Sequence, residues 1–149
     1  MALSIKRFFE IAANLVITSS AALVTSGLTS PIAANEKQKI RVWLPFAVGA
    51  TGGIRWELIC PAGASFAITN ILYNTVAPSI TTSAVAFGQI NAIFTNALAN
   101  AGNHWALVEA TVVNGATAGN VDFQVAQNTS DVLSLTVSQG GTMDVEVFS

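Results

Sequence analysis

His104 is the only histidine in the chain, and it is the side chain best suited to act as a general base near neutral pH. With a serine and with Asp122 or Asp131 it would complete a nucleophilic triad, in which the carboxylate orients the imidazole and the imidazole activates the hydroxyl. The sequence lacks the Gly-x-Ser-x-Gly turn that often exposes such a serine. Because His104 lies beside Trp105 at the start of a predicted strand, we predict a packed structural histidine.

Two glutamates, Glu57 and Glu109, could form the carboxylate pair of a glycosidase. Residue alternation instead places each on the solvated face of a strand, where Arg41 or Arg55 offers an ion-pair partner. The glycine-rich segment Gly49–Gly53 lacks the lysine of a phosphate-binding loop, so it predicts a tight turn. Neither feature indicates catalysis.

Metal and disulfide chemistry have few candidate residues. One cysteine and one histidine cannot build a Cys/His zinc site, and Cys60 has no second cysteine with which to pair. We predict that Cys60 is a small buried hydrophobe. The sequon Asn128-Thr129-Ser130 matters only in a secretory context. We therefore expect no enzyme activity, no catalytic residue, no cofactor and no metal ion.

The composition narrows the class of protein. The chain has 149 residues, six Lys+Arg, eight Asp+Glu and a net charge of −2. Charged residues make up 9% of it, against roughly a quarter in ordinary soluble domains, and hydrophobic residues make up 52%. Such a chain is neither disordered nor equipped to bind nucleic acid through phosphates. Since a surface so poor in charge favours association, we expect a component of an assembly.

Period-two alternation runs through much of the chain and predicts strands with one apolar face. It is clear from Lys39 to Phe46, where Pro45 predicts the end of the strand or an edge strand. It is clearest in the last third, where turns interrupt it: Asn114-Gly115, Gln127–Asp131 and Gln139–Gly141. Shorter runs predict strands at Leu15–Thr18, Ala21–Thr25 and Ile54–Cys60. We predict an all-β protein, an antiparallel β-sandwich or jelly roll with a short N-terminal arm.

The middle of the chain has a weaker pattern. Two strands joined through Pro78 fit residues 66–76 and 80–93 better than helices do. A single helical turn is expected around Ala92–Ala99.

The N-terminal segment allows three interpretations. Residues 5–13 fit two helical turns that dock either on their own domain or on a neighbouring subunit. In that interpretation residues 1–14 are an arm and residues 15–149 the domain. The third interpretation is a secretory signal peptide with the apolar stretch Ile11–Val24 and a cleavage site at Ala33-Ala34. Residues with hydrogen-bonding side chains interrupt that stretch, which argues against this interpretation.

Several segments carry a resemblance to small structural proteins of tailed bacteriophages. They are Lys39–Phe46, Gly49–Arg55, His104-Trp105, Asn114–Gly119, Ala126–Asp131 and Gly140–Met143. The chain resembles the head decoration (cement) proteins most, from Leu15 to Phe148. The resemblance implies a homotrimer that clasps the outer capsid surface, with itself and the major capsid protein as partners. It implies no nucleic acid, membrane or small-molecule partner, and a protein made in the host cytoplasm and located on the virion.

The arm is the expected contact with the capsid or with a neighbouring subunit, through Ile5, Lys6, Arg7, Phe8 and Phe9. Deleting residues 2–13 is then expected to spare the melting temperature and to abolish decoration. Trimer faces are expected to carry Trp43, Leu107 and Phe148. Alternatives are a trimeric head-fibre or tail-associated knob that contacts the host surface, and a secreted β-sandwich lectin or glycan-active protein.

Overall fold

A computed structural model describes residues 4–49, 51–74, 79–89, 93–96 and 102–148. These residues form twelve strands and contain no helix. The strands are β1 (Ile5–Glu10), β2 (Leu15–Ile17), β3 (Val24–Ile32), β4 (Lys37–Val48), β5 (Ile54–Ile59), β6 (Ser65–Asn74), β7 (Ser79–Gln89), β8 (Ile93–Asn96), β9 (Gly102–Val113), β10 (Gly119–Ala126), β11 (Leu135–Val137) and β12 (Thr142–Phe148).

The strands form two antiparallel sheets that pack against each other. The large sheet has the order β1-β12-β4-β9-β6-β7, and β11 and β2 continue it beside the far end of β4. The small sheet has the order β3-β10-β5-β8. Every strand pair within the described residues is antiparallel, which confirms the predicted all-β sandwich.

One hydrophobic core lies between the two sheets. The large sheet supplies alternate residues of β4, and the small sheet supplies alternate residues of β5 and β10. None of these side chains is more than 2% exposed: Ile40, Val42, Leu44, Phe46, Trp56, Leu58 and Phe123. Burying each large side chain contributes about 1.5–3 kcal/mol to folding, so the alternation in the sequence decides which side of each strand faces inward.

The prediction that Pro45 ends β4 or marks an edge is wrong, because β4 is central and continues to Val48. The Pro45 carbonyl accepts a hydrogen bond of 2.9 Å from the Ser138 amide, so the carbonyl of Pro45 faces the turn between β11 and β12. The N–H and C=O of a strand residue point to the same side. The missing N–H of proline therefore faces a gap in the pairing, and no ladder bond is lost.

The predicted helical turns over residues 5–13 are also wrong. Ile5–Glu10 is strand β1, paired with β12 along its whole length. Ile11 follows with 3% exposure, and its backbone exchanges hydrogen bonds of 2.8 and 3.0 Å with Gly141 and Gly140. Tertiary pairing overrides a helical pattern this short. Of the two docking sites considered for the segment, the structure places it on its own domain.

Two other elements differ from the prediction. The predicted helical turn around Ala92–Ala99 is wrong for Ile93–Asn96, which form strand β8 beside β5. The other residues of that predicted turn, and Pro78 of the predicted connection, lie outside the described residues. The second early strand is Val24–Ile32, not Ala21–Thr25. Its inward positions include Ser26 and Ser30, both buried, so hydrophobic alternation could not reveal it.

Within the described residues, no helix is long and apolar enough to cross a membrane.

Candidate binding interface

The structure does not bring the suspected triad together. His104 is buried on the inner side of β9, with its ring centroid 5.7 Å from that of Phe46. Asp122 faces outward from the small sheet, across the core from His104. The Asp131 carboxylate lies in a loop, where it accepts hydrogen bonds from Thr51 Oγ1 and from the Leu133 amide. Each group is used in a separate part of the fold.

The two glutamates lie on different sheets. Glu57 is on β5 of the small sheet, and Glu109 is on β9 of the large sheet. Arg41 donates to one Glu109 oxygen from Nε at 2.9 Å and from Nη2 at 2.6 Å. This confirms the predicted ion pair, and it leaves the two carboxylates facing opposite sides of the sandwich. The prediction that Glu57 lies on a solvated face is wrong, because Glu57 is buried with 8% exposure.

The remaining candidates for chemistry are also structural. Among the residues that the structure describes, no three His, Cys, Asp or Glu side chains are grouped so that they could hold a metal ion. Cys60 is half-buried after β5 and packs against the core. Burial raises the pKa of the Cys60 thiol to about 12, so the thiol stays protonated at neutral pH and is a poor nucleophile.

Charge is concentrated on the outer face of the large sheet, the side turned away from the core. Of the fourteen charged residues in the sequence, eight lie there: Lys6, Glu10, Lys37, Lys39, Arg41, Glu109, Asp144 and Glu146. Four are cations and four are anions, so this face is neutral overall. A depression of about 320 Å³ crosses it between β1, β12 and β4.

Three aromatic rings stand beside the charged region on the same face. Trp105 stacks on Trp43 with ring centroids 4.2 Å apart, and on Tyr73 with centroids 3.4 Å apart. The interplanar angles are 27° and 21°. Neighbouring strands lie about 4.8 Å apart, so rings stacked across them stand on edge above the sheet. This aromatic stack therefore presents ring edges outward.

A loop at the end of the sandwich exposes two apolar side chains. Val132 is 80% exposed and Leu133 is 53% exposed; we call the pair the apolar tip. The buried Gln127 side chain holds the loop, since its Nε2 donates to the carbonyls of Asp131 and Leu133 at 3.1 and 2.7 Å. Its Oε1 accepts from the Ser20 and Asp131 amides. The apolar tip is thus fixed in place by its own loop.

The residues predicted to contact a capsid divide into two groups. Ile5 and Phe8 are 50% and 61% exposed, and Lys6 lies on the outer face opposite Glu146. Arg7 instead donates to the Pro31 carbonyl at 2.5 Å and pairs with Glu36 at 3.3 Å, while Phe9 packs against the core. Arg7 and Phe9 are therefore engaged within the chain.

The residues predicted for trimer faces share one surface. Trp43 and Leu107 are directly opposite each other on β4 and β9, and Phe148 lies at the other end of the same outer face. Sequence reasoning missed the partners of Trp43, because Trp105 and Tyr73 meet it only through the register of three strands. It also missed the apolar tip, because the alternation after the turn Gln127–Asp131 predicts a strand directly, whereas β11 begins only at Leu135.

Comparison with known proteins finds no matching family model and no matching curated protein. Among solved structures, the infectious bursal disease virus VP2 subviral particle has a TM-score of 0.27 and 12% identity to this chain. Infectious bursal disease virus Gt strain has a TM-score of 0.25 and 10% identity. Each match covers 97% of this chain and 41% of the other. We therefore infer the function from this chain's surfaces and from the sequence resemblance.

Proposed function

We propose that the chain is a virion structural protein that decorates and stabilises the outer surface of a phage capsid. It acts as a homotrimer and binds shell subunits through several weak contacts at once. Three copies held together multiply such contacts, because the second and third bind at high effective concentration. Binding only the assembled shell stabilises the assembled state by linkage.

The observation that supports this function most directly is the apolar tip. An exposed valine and leucine on a loop that carries its own hydrogen bonds cost little ordering entropy when they bind. The edge strand β1 adds Ile5 and Phe8, both at least half exposed. Contacts of this kind suit a rigid protein surface.

Purified particles of the virus whose genome encodes this chain test the proposal. We expect mass spectrometry to find the chain in the particles and a density map to place it outside the shell in groups of three. Density on a head fibre or on the tail would indicate the alternative function as a knob. A particle that lacks the chain altogether would contradict a virion role.

The apolar tip can be tested on shells stripped of the chain. Replacing Val132 and Leu133 together by aspartate should weaken rebinding to the shells at least tenfold, because two charges would then be buried in the contact. The melting temperature should barely change, since both side chains are exposed. Thr117→Asp, in an exposed loop at the other end of the sandwich, is the matched control and should rebind normally.

A further inference from the structure

The charges on the outer face of the large sheet alternate in sign across three neighbouring strands. β12 carries Asp144 and Glu146, β4 carries Lys37, Lys39 and Arg41, and β9 carries Glu109. The edge strand β1 carries one charge of each sign, Lys6 and Glu10. The register places Glu146 beside Lys39 and Asp144 beside Arg41. Strands β12, β4 and β9 therefore form parallel stripes of charge in the order minus, plus, minus.

Only one ion pair forms among these charges within the described residues. Arg41 pairs with Glu109, and Glu146 accepts only a hydrogen bond from Ser4 at 2.7 Å. Within the described residues, Lys6, Lys39 and Asp144 form no ion pair. The stripes thus retain charge that is available to a partner.

A second copy of the chain fits these stripes. Two copies can meet through their outer faces about a two-fold axis that is parallel to the strands and lies midway between β12 and β4. This rotation places β12 of each copy over β4 of the other. It also keeps residues that are paired across neighbouring strands at the same height along the axis. Glu146 then meets Lys39 of the partner, and Asp144 meets Arg41. The same rotation lays β1 over β9, where Lys6 meets Thr111 and Phe8 meets Glu109, so the charge complementarity comes from β12 and β4.

We infer that this face pairs with the same face of a second copy in an isologous contact, guided by the β12 and β4 stripes. In an isologous contact each residue pair occurs twice, so every complementary contact counts double. A three-fold axis joins two different patches, so this contact is not the trimer contact, and it competes with any trimer that uses Trp43, Leu107 and Phe148 on the same face. It needs no capsid, so it can fail while the proposed function stands.

Two other partners fit the face less well. Sugars stack on the faces of aromatic rings, but in the aromatic stack Trp105 has both ring faces covered by Trp43 and Tyr73. Nucleic acid requires an excess of cations, whereas this face carries four of each sign.

Charge reversal in trans tests the inference. Lys39→Glu places two acidic stripes against each other in the symmetric pair, and Glu146→Lys places two basic stripes there. Each variant alone should associate roughly tenfold more weakly than the parent in sedimentation equilibrium. An equimolar mixture should regain the association of the parent, because each stripe then meets the opposite charge. Asn120→Glu, on the outer side of the small sheet, is the control and should associate normally.

The mixture separates contacts between chains from effects within one chain. Repulsion between residues 39 and 146 of a single chain persists in the mixture, so only a contact between chains can be rescued. Two variants that associate like the parent would overturn the inference, as would two weakened variants whose mixture stays weak. A parent chain that is monomeric at about 100 μM would overturn it too, since an interface of this kind binds in the micromolar range or tighter.

Discussion

Aspartates on the outer surfaces of the two sheets differ in whether their carboxylates have hydrogen-bond partners within the chain. On the small sheet, the Asp122 carboxylate accepts hydrogen bonds from Thr25 at 2.9 Å, Thr29 at 2.7 Å and Gln124 at 3.0 Å. On the large sheet, Asp144 is exposed and has no ion pair among the described residues. A carboxylate with three neighbouring donors is complete without a partner molecule, while one without any is available for binding.

This difference distinguishes a carboxylate that is satisfied within the chain from one that keeps an unpaired charge. Charges left unpaired on a sheet contribute little to the stability of the isolated chain. The same charges, arranged in stripes beside the aromatic stack, provide electrostatic complementarity in an assembly. We therefore expect substitutions on the small sheet to change stability and charge substitutions on the large sheet to change association.

Truncation of the N-terminus should have the largest effect on stability. Deleting residues 2–13 removes the β1–β12 ladder and the buried side chain of Ile11. Losing Ile11 alone costs about 2–5 kcal/mol, so the melting temperature should fall by ten degrees or more. Differential scanning calorimetry measures this. An unchanged melting temperature would restore the interpretation of the segment as a free arm, and deletion of residues 2–4 alone is the control.

The aromatic stack is the part of the large sheet's outer face that should affect folding. Trp105→Ala removes two stacked ring contacts and a half-buried side chain, and it should lower the free energy of unfolding by about 2–3 kcal/mol. Trp43→Ala removes one of those contacts from a residue that is 40% exposed, so its cost should be smaller. Urea denaturation compares the two, and equal losses would mean that Trp105 does not hold the stack together.

The two aspartates provide the direct contrast between the faces. Asp122→Ala leaves three donors without their acceptor and should lower the free energy of unfolding by about 1–2 kcal/mol. Asp144→Ala should change it by no more than about 0.5 kcal/mol. Urea denaturation of both variants decides the matter, with Asp122→Asn as the variant that keeps an acceptor. A larger loss from Asp144→Ala would show that the large sheet uses this charge internally.

Asp131 extends the contrast to pH and should have the smallest effect. Hydrogen bonds from the Leu133 amide and from Thr51 hold the pKa of this carboxyl below its ordinary value. Its stabilising contribution is therefore present above the unfolded-state pKa, about 3.9, and is lost as the pH falls through the lower folded-state pKa. Asp131→Asn should melt below the parent at pH 6, and the gap should close towards pH 2. A gap that is constant with pH would contradict the role of the ionised carboxylate.

Residue alternation was enough to predict the core strands. From Ile40 in β4, Ala106 in β9, Val121 in β10 and Met143 in β12, every second residue is apolar, and a strand with one dry face follows from that pattern alone. It failed where the inward residues are polar, as with Ser26 in β3, whose hydroxyl donates to the Phe123 carbonyl at 2.6 Å. It also failed at β1, whose short apolar pattern fits a helix as well as a strand.

The sequence by itself determined the all-β class, the inward side of the strands with clear alternation, the end of β9 before Asn114-Gly115 and the scarcity of charge. These follow from local periodicity and composition, which act within a few residues. Only the tertiary structure decided which strands are neighbours. Strand order brought Trp43, Trp105 and Tyr73 into one stack, and register placed Lys39 beside Glu146. Such contacts join residues far apart in the chain, and the core packing that selects the register creates them.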